Sequence, residues 1–169
     1  TSLISGSTTL SANQWYHIAV VRNGNDFDIY LNGIKDATTV TNSGSITNPS
    51  GGTQVSVGGY QLASTAWRYF NGYISDLRFV NGTAVYTANF TPSTERLTAI
   101  TNTKFLTCHL PYIADGSTTG HAITVNGNTG TKPFAPYDYA PYSSSSHGGS
   151  MYFDGTGDYL TVPSHTSMS

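Results

Sequence analysis

Three aromatic residues, Tyr60, Trp67 and Tyr69, flank Arg68 within ten positions of the chain. Aromatic faces stack on apolar ring surfaces, and a guanidinium offers a planar fork of hydrogen-bond donors. This cluster is the best candidate for contact with a ligand. The competing expectation is that Trp67 and Tyr69 pack against the edge of a sheet. Hydrolytic chemistry is much less well supplied. Cleaving a glycosidic bond takes two carboxyl groups at a defined separation. The chain has one glutamate, Glu95, in a polar stretch after Pro92. Asp154 and Asp158 frame the turn Gly155-Thr156-Gly157, where aspartate is a common turn former. That turn lacks the strand-to-helix setting of a phosphate loop. The five histidines are scattered without metal-ligand spacing. The single cysteine, Cys108, lies in the apolar run Phe105-Leu106-Thr107-Cys108 and reads as a small buried hydrophobe, with His109 pointing to the opposite strand face. Asp76 and Arg78 stand two positions apart on one strand, close enough for a structural pair. No catalytic residue is expected.

The elements that must position these groups are strands. From Trp15 to Val21 the chain is apolar at nearly every position and rich in β-branched and aromatic residues, as in a strand covered on both faces. After a turn at Asn23-Gly24, Phe27, Ile29 and Leu31 alternate with Asp28 and Tyr30. Asn32-Gly33 is a second turn of the same kind, so Trp15 to Gly33 predicts a β-hairpin. Further strands are expected at Ser2–Ile4, Ile34–Thr41, Val55–Gly58, Phe70–Val80, Thr103–Leu110 and His121–Asn126. Two more are expected around the Asp-Gly turn within 150–163. The cluster at 60–69 falls between two of them, as a loop. No segment sustains a 3.6-residue period. Strands every 8–12 residues with turn signals between them predict an all-β sandwich or barrel.

Two stretches resemble a known family. Trp15-Tyr16-His17-Ile18-Ala19-Val20-Val21-Arg22-Asn23-Gly24, continued by Ile29-Tyr30-Leu31-Asn32-Gly33, resembles the central hairpin of laminin G-like domains of the concanavalin A-like superfamily. Phe70–Thr91, with its aromatic-x-Gly-x-Ile-x-Asp-x-Arg pattern, resembles the closing strand of the same domains. The resemblance implies a jelly-roll sandwich of two antiparallel sheets with little helix. It also implies a calcium site on the sandwich rim, for which Asp154 and Asp158 are the candidates. The wording Gly82-Thr83-Ala84-Val85-Tyr86-Thr87-Ala88-Asn89-Phe90-Thr91-Pro92 is similar to tandem repeats in fibre and virion proteins of marine phages. That implies a non-enzymatic adhesion module, on a virion or a cell surface, with neighbouring copies or other fibre subunits as partners and host-surface glycans as ligand. The alternative is a calcium-assisted carbohydrate-binding lectin domain of a secreted bacterial protein. Tyr152-Phe153-Asp154-Gly155-x-Gly157-Asp158-Tyr159-Leu160 resembles a motif that opens such domains rather than closing them. Residues 1–99 therefore read as the later part of one sandwich and 100–149 as the opening strands and Pro/Tyr/Ser-rich connection of a following repeat. Residues 150–169 read as early strands of that repeat, or as a permuted completion of the same sandwich.

Composition narrows the partners. The chain has 169 residues, one domain's worth, with 9% charged residues and a net charge of −2. No basic patch marks a nucleic-acid surface. No run approaches the roughly 18 apolar residues of a membrane span. Twelve tyrosines among abundant Gly, Ser and Thr fit an extracellular or virion β-protein. The chain begins in mid-pattern, so any targeting segment is expected to lie outside it.

Overall fold

The computed structural model describes residues 3–45, 54–62, 66–137 and 148–163. Among these there is no helix, and every strand pairing is antiparallel. The chain divides into two compact units, one of Thr1–Ile46 with Gly82–Ser93, the other of Thr47–Asn81 with Thr94–Ser169.

The first unit is built on the predicted hairpin. Strand β1 (Ile18–Asn23) pairs with β2 (Asp26–Leu31), and Gly24-Asn25 forms the two-residue connection. At the far end of β2, Asn32 and Gly33 both take positive φ, 51° and 80°, the geometry of a tight turn matched to strand twist. It leads into β3 (Ile34–Lys35), and β4 (Val40–Thr41) rejoins β2 further along. The expected strand over Ile34–Thr41 is thus broken in two. Val21, Phe27 and Tyr30 are buried. Tyr30 and His17 meet the ring of Phe90 edge-on, and Tyr86 stacks on Phe90 at 3.6 Å. β1 is shorter than expected and is not covered on both faces: Ile18 and Val20 are 56% and 64% exposed. The segment predicted as a strand at Ser2–Ile4 forms none in its described part.

The second unit holds the main core. β5 (Gln54–Val57), β6 (Gly59–Leu62), β7 (Ala66–Tyr69), β8 (Asn71–Ile74) and β9 (Leu77–Val80) come from the first half of the chain. β10 (Thr103–Thr107), β11 (Thr124–Asn126), β12 (Gly130–Lys132), β13 (Ser150–Asp154) and β14 (Tyr159–Pro163) come from the second. The hairpin β13–β14 is central. β13 lies between β12 and β8, and β14 between β11 and β5, so each is the middle strand of its own sheet. Alternation then aims Met151 and Phe153 from one sheet, and Leu160 and Val162 from the other, into one cluster with Val57, Phe105 and Cys108. β9 and β10 form a separate pair. The strand expected over Phe70–Val80 breaks at Asp76, whose φ of 56° turns the chain.

Asp76 and Arg78 do not pair with each other. Asp76 accepts from the backbone N–H of Leu97 at 2.7 Å, and Arg78 donates to the carbonyl of Thr98 at 3.1 Å. Both side chains pin the same passing segment. Cys108 is buried as expected, and desolvation pushes its thiol up to about 12. Its positive φ, 59°, ends the regular alternation of β10, so His109 is buried too instead of facing out.

Candidate functional site

Residues 60–62 and 66–69 lie in paired strands, not in the expected loop. β6 and β7 pair with Tyr60 opposite Arg68 and Gly59 opposite Tyr69; residues 63–65 lie outside the described residues. Alternation divides the predicted cluster between two faces. Trp67 and Tyr69 share one face, Tyr60 and Arg68 the other.

The first face is an anchor. Trp67 stacks on Tyr159 of β14 with ring centroids 4.3 Å apart, and Tyr69 lies parallel to Trp67 at 6.1 Å. All three rings are half-buried. Aromatic pairs of this kind contribute about 0.5–1.5 kcal/mol beyond the area they bury. Gly59 makes the approach possible: a Cβ there would sit 2.9 Å from Tyr159 Cβ. The packing expected for Trp67 and Tyr69 is therefore present, and Tyr159 is a partner that sequence reasoning did not assign.

The second face is open. Tyr60 is 55% exposed, and Arg68 is exposed directly across from it. A flat ring beside a fork of N–H donors can take the C–H face of a sugar and bond its hydroxyls. The anchor beneath fixes the strand that carries Arg68, while the exposed side chains of Tyr60 and Arg68 would be ordered on binding.

A second aromatic surface lies on the outer side of β12, β13 and β8. Tyr73 and Tyr152 are cross-strand neighbours with ring centroids 5.1 Å apart, and Phe134 meets Tyr73 edge-on at 4.8 Å. Lys132 Nζ lies 5.8 Å from the Tyr152 centroid. Sequence reasoning missed this surface. Its signal is the alternation of Tyr73 with Gly72 and Ile74, and of Tyr152 with Met151 and Phe153.

The acidic pair has a different role from the one expected. Asp158 is fully buried, and its two carboxylate oxygens accept from the backbone N–H groups of Asn128 and Asp154, each at 2.8 Å. Asp154 accepts from the N–H of Thr156 at 2.7 Å. These bonds tie the β13–β14 turn to the β11–β12 connection. Calcium takes six to eight oxygen ligands. Here an ion would face two N–H dipoles instead, and among the described residues no three His, Cys, Asp or Glu side chains gather. The donor set does not fit calcium.

The model of the concanavalin A-like lectin/glucanase superfamily matches residues 1–85, which span β1 to β9. The chain belongs to that superfamily. No curated protein and no solved structure matches it. Membership fits an all-β sandwich, and the antiparallel sheets, with no helix among the described residues, agree. Laminin G-like domains of the superfamily are generally non-catalytic, extracellular or surface-associated, and suited to carbohydrate binding or adhesion.

Proposed function

We propose that this superfamily domain is a non-enzymatic adhesion module of a virion or cell-surface fibre, and that it contacts host-surface glycans through Tyr60 and Arg68. The observation that carries the reading is the two-faced β6–β7 strand pair. Trp67 and Tyr69 hold it on Tyr159, and Tyr60 and Arg68 stand exposed side by side. The fibre setting is supported by the resemblance of Gly82–Pro92 to tandem fibre repeats. Pairing of β13 with β8 and of β14 with β5 supports reading residues 150–163 as completing the same sandwich rather than starting another.

The test is a glycan array probed with the chain and with Tyr60→Ala, Arg68→Ala and Tyr152→Ala. Loss of a glycan signal in the first two variants, with the melting temperature unchanged, supports the proposal. Signal lost only in Tyr152→Ala moves the site to the outer Tyr73–Tyr152 face. No glycan signal from the native chain, alone or displayed in many copies on a bead, overturns the proposal.

A further inference from the structure

Beside β10 lies a solvent-open cleft of about 210 Å³, lined by Arg96, Leu97, Leu106, His109, Leu110 and Gly116 among others. It is smaller than the roughly 300–1,000 Å³ of pockets for drug-sized ligands. Two of its walls carry unmet polar capacity. His109 is only 6% exposed, and its Nδ1 is buried without a hydrogen-bond partner. Arg96 is half-buried, and among the described residues its guanidinium has neither a hydrogen-bond acceptor nor an ion-pair partner. Leaving a buried nitrogen such as that of His109 unsatisfied is unfavourable, and a ligand that bonds the ring would offset that cost.

The surrounding charges are already engaged. Asp76 and Asp115 both act on His109, but neither lines the cleft. Asp76 accepts from Leu97 N–H and Asp115 from the N–H groups of Leu106, Ser117 and His121. Burial is the largest influence on His109 and lowers its pKa, so the ring is neutral at neutral pH and Arg96 supplies the positive charge. A neutral imidazole nitrogen bonds either a hydroxyl or a carboxylate, depending on tautomer. A guanidinium prefers a planar carboxylate. The leucine walls suit the C–H skeleton of the same small molecule.

We propose that this cleft binds a hydroxycarboxylate of the sugar-acid type, with Arg96 on the carboxylate and His109 on a neighbouring hydroxyl. The site is separate from Tyr60 and Arg68, and it stands whether or not they contact glycans.

The experiment is an NMR amide titration of the whole chain with gluconate, a free sugar acid, and with trigalacturonate, an acidic chain end. Glucose and acetate are the controls. Shifts confined to amides around 96–99, 106–110 and 116 with either acid, and absent with both controls, support the proposal and show which source fits. Arg96→Gln should weaken that binding at least ~10-fold, the loss of one charge-assisted hydrogen bond. Tyr60→Ala should leave it unchanged. Shifts elsewhere, no shifts, or equal binding of acetate or glucose would overturn it. The native-chain comparison decides the matter even if Arg96→Gln fails to fold.

Discussion

Replacing Asp158 with alanine separates a structural clamp from a metal ligand. The carboxylate is fully buried and takes two backbone N–H groups, those of Asn128 and Asp154, at 2.8 Å each. Removing it takes the acceptor from both donors and leaves a buried position empty. Hydrogen bonds to a charged group contribute about 1.5–3 kcal/mol each, so a loss of about 2–5 kcal/mol is expected. For a chain of this size about 1 kcal/mol corresponds to roughly 2–4 °C, so the melting temperature should fall by roughly 5–15 °C. The assay is differential scanning fluorimetry of native chain and variant, each in millimolar calcium and in EDTA. The clamp predicts no calcium response in either protein. Asp158→Asn keeps one acceptor oxygen but turns an NH₂ toward the second donor, so it should lose more than half of the same stability. A native melting temperature that rises with calcium, and a variant that does not respond, would refute the reasoning. So would an Asp158→Ala variant that melts within about 2 °C of native.

Three other outcomes follow from the same geometry. Gly33→Ala puts a methyl 1.9 Å from the Phe90 carbonyl at a φ of 80°, and should lower the urea midpoint by the equivalent of about 2–4 kcal/mol. Cys108, its thiol pushed up to about 12 by burial, should resist a maleimide at pH 8 in the native chain and react once urea unfolds it. Asp115 is opposed by burial, but the N–H groups of His121, Ser117 and Leu106 and the His121 ring outweigh that, so its pKa is lowered on folding. Its stabilising contribution is complete above the unfolded value, roughly pH 4, and is lost as pH falls through the lower folded value. Denaturation midpoints measured from pH 5 to pH 2 should therefore decline, and Asp115→Asn should flatten that decline.

The hairpin β1–β2 and its Asn32-Gly33 turn were legible because both signals are local: period-two alternation, and a dipeptide that accepts positive φ. The failures share a cause in distance along the chain. Residues 60–69 read as a loop because Gly58-Gly59 looks like a strand breaker. In the structure Gly59 is the first residue of β6, and its lack of a side chain serves Tyr159, far away in sequence. The Asp76–Arg78 pair failed because Asp76 adopts positive φ and takes a backbone partner, Leu97, that spacing does not reveal. Asp154 and Asp158 were correctly placed on one turn, but the N–H of Asn128, which claims Asp158, comes from another connection.

The predicted cluster shows how local periodicity and distant contacts combine. Alternation alone places Arg68 opposite in direction to Trp67 and Tyr69, so the four residues could never have formed one surface. What alternation cannot say is which face meets solvent. Tyr159 decides it by stacking on Trp67, and β14 can present Tyr159 only because Leu160 and Val162 are fixed in the core. Substitutions at Trp67 or Tyr69 would therefore act on stability first and on binding only through the pose of β6–β7. Tyr60 and Arg68 are free to vary at little structural cost, which makes them the positions where ligand choice can change while the fold is kept.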